Sequence, residues 1–515
     1  MKYRRYSIAI ACLVVVLSLF FQLSTRDLHV RYHQHKQSSV TDRDVPDPLG
    51  CITPTPKSAT EYDPGAVDVK KLQTHLPIVL LDVAEEIPGV PYYEGASPLP
   101  HYTVAKDGDD EVLGTLQVID NKKTFNTPQD PPKLRSQMRI RVRGNTSRNF
   151  DKKSYAVKLV DDSGAYRNEK VLDMEENHSW ALYGPFLDKA LIRNYVGMNL
   201  SGELMEFAPD VRFCEVIKNG EYQGLYLFME TVSRGKGRVD IEKPNYTKNV
   251  TGYILELDNA PIVPDSSPQN FTKYTGVLRD SAFFNIDYPN EEALTPELKD
   301  YITRDLSQCE KALYSFDYNT GDHGFQTMMD VNAFADYFIL SEVFMQHDTG
   351  NLSTYFYKDV NGLFKPCVWD FNHSLGNASV GVESDFPVFQ FVSVQAPWFW
   401  MMIKDDTFIE TVISRYHSLR RNFLSDASLT AYLGDTWDYL GSAATRNFAL
   451  WGYSFDVNNL DTDNHLHPDS LNPTSYDGAV RQMEDALLAR LHWLDEHIEA
   501  LRQYSHPSAV KKFNH

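Results

Sequence analysis

Asp348 and Asp370 stand at the two ends of a segment that reads as a hairpin. Residues 342–377 run EVFMQHDTGNLSTYFYKDVNGLFKPCVWDFNHSLGN. The pattern predicts a helix ending near Gln346 and a polar loop with His347 and Asp348. A strand over 354–358 then leads to a turn at Asn361-Gly362, and a second strand over 364–368 runs into Trp369-Asp370-Phe371-Asn372. A hairpin returns the chain to its start, so both carboxylates can face one cleft. Phosphoryl transfer needs such a pair. One carboxylate orients or takes the acceptor's proton, and the other holds Mg²⁺ or Mn²⁺ against the phosphates. Aspartates beside a hairpin also serve as plain turn formers, and these residues alone leave that reading open.

A second constellation lies upstream. Residues 139–158 read RIRVRGNTSRNFDKKSYAVK, a strand, a Gly144-Asn145-Thr146-Ser147 loop and a lysine-bearing strand. Backbone N–H groups of such a loop can cradle phosphate, and Arg143, Arg148, Lys153 or Lys158 can neutralise it. Alternating Arg and Lys can equally solvate an exposed sheet face. Glu230 ends a strand, as a residue at an inter-lobe hinge would, and Glu203 is a candidate lysine partner. Glu256 and Asp258 share a strand face and read as surface carboxylates rather than as cleft residues. In the protein-kinase signature a metal-binding Asn stands five residues after the catalytic Asp, and Asp-Phe-Gly follows downstream. Here Ser353 holds the first position, with Asn351 as a substitute ligand, and Asn372 replaces the glycine.

The elements that must position these groups follow from hydrophobic period and punctuation. Strands are expected at 78–81, 114–119, 138–142, 155–160, 213–217, 225–229 and 252–257, with Asn219-Gly220 as a hairpin turn. A helix is expected over 188–207. Thr295 with Pro296 and, further on, Asp330 start two more, and 480–501 carries a long amphipathic one. Strands dominate the first half and helices the second, so the fold class is α+β: a sheet-rich lobe before a helical one. Asp461-Thr462-Asp463-Asn464 begins like a calcium loop but lacks its glycine at position six and glutamate at position twelve. His465-Leu466-His467 is a metal-type pair with no third ligand evident in the sequence.

Composition bounds the function. The 515 residues carry 50 Lys and Arg against 70 Asp and Glu, a net charge of −20, which argues against a duplex-DNA partner. With 42% hydrophobic and 23% charged residues the chain is ordinary globular protein, neither a disordered tail nor a multi-span membrane protein. Lys2, Arg4 and Arg5 precede an apolar run from residue 8 to residue 21 without a clear cleavage pattern. Residues 1–25 are therefore expected to form an uncleaved signal anchor, with a cleaved signal peptide as the alternative. Residues 26–75 are expected to be a linker. The remainder is exported, to the cell surface or beyond. Cys51, Cys214, Cys309 and Cys367 permit two disulfides or four buried thiols. Sequons such as those at Asn145, Asn351 and Asn372 fall inside the candidate site, where a glycan would block access.

Taken in order, several segments resemble the CotH kinase family, the spore-coat-protein-H-like atypical kinases. They are RGNTSRNFDKKSYAVKL, DKALIRN at 188–194, NGEYQGLYLFMET at 219–231, GYILELD at 252–258 and HDTGNLSTYFYKD with WDFNHSLGN; PWFWMMIKDDTF and TRNFALW resemble its helical tail. The resemblance spans about residues 76–501. It implies a divergent protein-kinase-like fold, with an N-lobe over 76–230 and a helical C-lobe over 231–505. It also implies ATP, a divalent metal and a hydroxyl acceptor, a protein first of all. Asp348 then resembles the catalytic aspartate and Asp370 the metal-binding one, with Asn351 and Ser353 beside it. Arg143, Gly144, Asn145, Lys153, Lys158 and Glu230 fall in the implied nucleotide site. A non-catalytic surface adhesin or coat-assembly module that keeps the fold is the alternative, and Ser353 and Asn372 favour it.

Overall fold

The computed structural model describes residues 39–53, 61–94, 100–259, 282–378 and 390–506. Residues 1–25, expected to be an anchor, lie outside them. Alternating residues build the first lobe. Strands β1 (Ile78–Val83), β4 (Val112–Ile119), β5 (Leu134–Val142), β6 (Tyr155–Val160), β7 (Ser179–Tyr183), β8 (Val211–Lys218) and β9 (Glu221–Glu230) close into a barrel in the order β1-β4-β5-β6-β7-β9-β8. A two-stranded ribbon of β2 (Pro91–Tyr92) and β3 (His101–Tyr102) stands apart. The closing pair is β1 with β8, parallel, with Ile78 opposite Glu215. Closure removes open sheet edges. Inward side chains such as Leu81, Met138, Ile140, Val157, Leu159, Trp180 and Phe228 fill the interior. Alternation then turns the other face of β6, Ala156 and Lys158, outward to one wall of a cleft. Asn219 and Gly220, with φ of 51° and 81°, make the β8–β9 turn, where the left-handed backbone of a primed turn needs such residues.

The second lobe is not all helix. A four-stranded antiparallel sheet, order β11-β10-β12-β13, is built from β10 (Tyr253–Asn259), β11 (Ala282–Tyr288), β12 (Thr354–Lys358) and β13 (Lys365–Cys367). The helices of this lobe are α1 (Arg193–Leu204), α2 (Pro296–Tyr314), α3 (Val331–Phe344), α4 (Phe399–Met402), α5 (Asp406–Arg420), α6 (Asp426–Leu440), α7 (Ser442–Trp451), which lies against β9 of the barrel, and α8 (Tyr476–His497). Thr295 and Asp330 cap α2 and α3 as expected, accepting from Leu298 N at 3.3 Å and Ala333 N at 3.1 Å. The helix expected from 188 starts only at Arg193. Leu191 takes a left-handed φ of 68°, and the Asp188 carboxylate accepts from Arg193 N at 2.9 Å.

One expectation is corrected, and one pair of alternatives is decided. Where described, the stretch read as a linker is packed: Cys51, Val67 and Leu72 are buried with Ile78, Tyr222 and Trp451. Apolar residues spaced among Asp-Pro breaks bury against the barrel's outside, which composition alone does not reveal. Cys51, Cys214, Cys309 and Cys367 are free, buried thiols, so no disulfide joins them. Among the described residues no helix is long and apolar enough to cross a membrane.

Candidate active site

Helix α3 delivers the first carboxylate. It ends at Met345, whose left-handed φ of 53° turns the chain, and Gln346 N then bonds Ser341 O at 2.9 Å. Past this turn, Asp348 O accepts from the backbone N–H of Asn351 and Leu352, both at 2.9 Å. Thr354 Oγ1 accepts from Gly350 N at 2.9 Å and donates to Leu352 O at 2.9 Å. The 348–353 loop is thus wound on its own backbone, with Asp348 at its head.

The second carboxylate sits on strained backbone. Asp370 is left-handed, φ 52°, a conformation that costs a non-glycine residue roughly 1–3 kcal/mol and persists only where its surroundings impose it. Gln346 Nε2 donates to both Trp369 O and Asp370 O at 2.9 Å, which ties the two carboxylate segments together. From behind, Asn194 Oδ1 accepts from Phe371 N at 2.7 Å. Arg193 Nε donates to Ser374 O at 3.1 Å while its guanidinium pairs with Asp188 at 2.6 Å. The DKALIRN motif is therefore the seat of the Asp370 segment. The Phe371 ring lies against Gly197, where an added Cβ would fall 2.3 Å from the ring.

Both aspartates open into one cleft of about 2540 Å³ between the lobes. A single small-ligand pocket is roughly 300–1,000 Å³, so this cleft has room for a nucleotide and part of an acceptor side by side. Arg141, Arg143, Gly144, Asn145 and Lys158 line the barrel wall. Asn351, Ser353, Tyr355 and Asn372 line the other, with Glu256, Asp258 and Asp287 on the sheet between. Arg143 stacks over Trp369, 5.0 Å from the ring centroid. Burial raises the Asp370 pKa, His373 and Arg143 hold it down, and the nearby Asp348 charge raises it again. Glu256 is pushed up to about 8, first by burial, then by Asp287 and Asp258, against a hydrogen bond from Tyr355 OH and the Arg143 charge.

The sequence-derived residues divide. Asp348, Asp370, Asn351, Ser353, Arg143, Gly144, Asn145 and Lys158 come together in the cleft. Lys158 pairs there with Glu111 at 2.7 Å. Lys153 does not line the cleft; its Nζ donates to Arg148 O at 2.8 Å and braces the loop from behind. Arg148 lines the cleft, but its guanidinium also braces the loop, donating to Gly144 O at 2.5 Å and Gly89 O at 3.3 Å. Glu230 is buried off the cleft, accepting from Asp210 N at 2.9 Å and lying 3.6 Å from Arg238. Buried Glu203 does not line it either. Glu256 and Asp258 do line it, contrary to the surface expectation, because β10 is a central strand whose outer face meets the barrel lobe. Asp287 lies in no motif, and Tyr355 lies within the 347–359 segment without a role that the segment assigns. Only their cross-strand positions, Tyr355 opposite Glu256 and Asp287 near the end of β11, bring them in.

The donor set fits a hard divalent cation. Besides the carboxylates, Asn372 Oδ1 is buried without a hydrogen-bond partner among the described residues, on a side chain that lines the cleft beside Asp370. An orphaned carbonyl oxygen next to a carboxylate is what Mg²⁺ or Mn²⁺, an oxygen-seeking ion, would satisfy.

Basic groups on one wall and paired carboxylates with an oxygen donor on the other define a phosphotransferase-type cleft between two lobes. The chain belongs to the CotH kinase family: the family model described as CotH kinase protein matches residues 140–494. That span contains the basic loop, both aspartates and the sheet that joins them. No curated protein matches the chain.

Proposed function

We propose that this chain is a metal-dependent atypical kinase, on a divergent protein-kinase-like fold, that moves the γ-phosphoryl group of ATP to a hydroxyl acceptor, a protein side chain first of all. The observation that carries the reading is the pairing of Asp348 with Asp370 across from Arg143 in one cleft. In this reading Asp370 and Asn372, with Asn351 and Ser353 at hand, hold Mg²⁺ or Mn²⁺, which screens the phosphates when bound. Arg143, Arg141 and Lys158 supply positive charge to the phosphate oxygens, and backbone N–H groups of the 144–147 loop complete their cradle. Asp348 orients the acceptor hydroxyl and receives its proton as the new P–O bond forms and ADP leaves. Glu256, its carboxyl pushed up to about 8 by burial and the neighbouring acids, keeps the acidic wall from accumulating full charge near ATP.

The adhesin reading drew on Ser353 and Asn372, but the unpartnered Asn372 oxygen supports a ligand's role for that residue. Residues 1–25 would anchor the protein with its cleft outside the cytoplasm; amino-terminal sequencing of the mature chain that began beyond about residue 23 would instead mean a cleaved signal. Transfer of label from γ-labelled ATP to the purified chain or to added protein, with Mg²⁺ and with Mn²⁺, tests the kinase reading. A folded chain that neither transfers label nor gains thermal stability from ATP and metal would exclude it.

A further inference from the structure

The histidine pair in the 461–472 loop acquires its third ligand in three dimensions. His465, His467 and Asp469 place one donor atom each within 4.8 Å of one another. The two histidine rings lie 4.3 Å apart, centroid to centroid, and His465 Nε2 is 3.5 Å from Asp469 Oδ1.

Hydrogen bonding fixes what each ring presents. His465 Nδ1 is 3.0 Å from Asp461 O, and His467 Nε2 is 3.0 Å from Thr462 O. A carbonyl oxygen only accepts, so each of these nitrogens carries the proton. In the neutral His465 ring, the lone pair then sits on Nε2. Metal-binding histidines are held in this way, the other ring N–H donating to a carbonyl that sets the tautomer. A lone pair on His465 Nε2 facing a carboxylate oxygen is repulsive unless a cation lies between them. A proton on His465 would relieve that one pair. A metal ion uses all three donors.

The loop is built to hold this shape. Asn472 clamps the residue between the histidines from both sides, accepting from Leu466 N at 2.8 Å and donating to Leu466 O at 2.7 Å. Leu466 itself is buried against the barrel's outside. Asn464 Oδ1 accepts from Asp151 N at 2.8 Å, which ties the loop to the end of the basic loop. Thr462, Asp463, His465 and His467 line the large cleft, so the site stands at its rim.

We propose that His465, His467 and Asp469 bind Zn²⁺, with an open coordination position at the rim of the cleft, as a site distinct from the Asp348 and Asp370 centre. Two imidazoles and a carboxylate suit zinc better than Mg²⁺ or Ca²⁺, which take oxygen donors. Tetrahedral zinc with ligands at about 2.0–2.1 Å needs small rotations of the exposed Asp469 and the half-buried histidines to close the site.

The test titrates the chelator-stripped full-length chain with Zn²⁺ against a chromophoric competitor, and with Co²⁺ read by its d–d absorption. The wild type is expected to bind one equivalent of Zn²⁺ that displaces Co²⁺ and its visible bands. The Asp348→Asn/Asp370→Asn variant should bind it equally. His465→Gln/His467→Gln should lose more affinity than the roughly 10–100-fold that loss of an outer-sphere partner causes. Zinc binding unchanged in the histidine variant overturns the proposal, as does a wild type without Zn²⁺-displaceable Co²⁺ bands. Should the histidine variant fail to fold, Asp469→Asn replaces it: weakened zinc affinity supports the site, and unchanged affinity overturns it.

Discussion

Asp370 carries its carboxyl on a left-handed backbone clamped by Gln346 and Asn194, whereas Asp348 heads a loop wound on its own carbonyl. The two should fail differently. If Asp370 holds the metal as proposed, Asp370→Asn should weaken metal-dependent ATP binding and turnover together. If Asp348 acts on the acceptor, which is absent from the binary complex, Asp348→Asn should leave ATP affinity nearly intact and cut transfer by about 10²–10⁴-fold. Calorimetric ATP titration beside a transfer assay separates them; equal loss of ATP affinity would sink the assignment. If both aspartates only form turns, neither substitution should do more than lower stability. Glu256 makes a pH prediction. Its folded pKa is pushed up to about 8 from an ordinary 4.5, so between those values the folded chain holds a proton that the unfolded chain releases. Stability from this group therefore falls as pH rises through that window. Glu256→Gln should remove this group's share of the decline, its melting temperature diverging upward from wild type toward pH 8. Parallel melting curves from pH 5 to pH 8 would show that Glu256 does not hold that proton. These groups were unequally legible. Asp348 and Asp370 bracket a local hairpin that sequence can see, whereas Glu256, Asp258 and Asp287 lie on other strands, where alternating acids look like a solvated face.

Helix α1 meets the Asp370 segment through one missing side chain. At Gly197 a Cβ would lie 2.3–2.7 Å from Phe371 ring atoms, and that ring also packs edge-on against Phe344 at 4.9 Å. Gly197→Ala should therefore cost about 1–3 kcal/mol through overpacking and shift Phe371 away from α1. Because Asp370 precedes Phe371, ATP–metal affinity should fall with stability. Gly434, within α6, is the matched control: nothing lies within 4 Å of its would-be Cβ. Gly434→Ala should add about 0.5–1 kcal/mol, since alanine loses less backbone freedom in a helix, and leave ATP binding alone. Denaturant melts of both variants with ATP titrations check this, and a Gly197 variant with wild-type affinity would mean Phe371 does not set Asp370. Local signals placed most of these elements. Strand β6 spans the residues its alternation assigned, and α2 and α3 begin at their expected caps. Signals failed where a distant partner decides. The start of α1 is delayed by the Asp188–Arg193 pair, and β1 closes the barrel on β8 more than a hundred residues away.

At the scale of the molecule, the chain's late helices return to fasten its first lobe. Arg446, on α7, donates to both oxygens of Glu215 on β8 at 2.8 Å, and also to Pro48 O at 2.6 Å and Thr74 Oγ1 at 3.0 Å. Its neighbour Asn447 accepts from Lys152 Nζ at 2.7 Å and from Leu225 N at 3.1 Å. One turn of α7 thus joins Pro48 and Thr74, the barrel and the helical lobe. Both charges of the Arg446–Glu215 pair are fully buried. Burial works to raise the Glu215 pKa, and the Arg446 charge, with hydrogen bonds from Arg446, Thr74 and Tyr222, outweighs it and lowers it overall. Removing one partner strands the other without water or counter-charge. Arg446→Met should therefore cost about 3–5 kcal/mol, as should Glu215→Leu. The double variant removes both charges at once and should lose much less than the sum, because well-packed apolar residues can replace a buried pair at little cost. If burial of charge is the main penalty, the double variant should even be more stable than either single one. Simple additivity in denaturant melts would mean that each side chain contributes through separate neighbours, Pro48 and Thr74 for Arg446 and Tyr222 for Glu215. The stitch between the lobes would then be the sum of those neutral contacts rather than the ion pair.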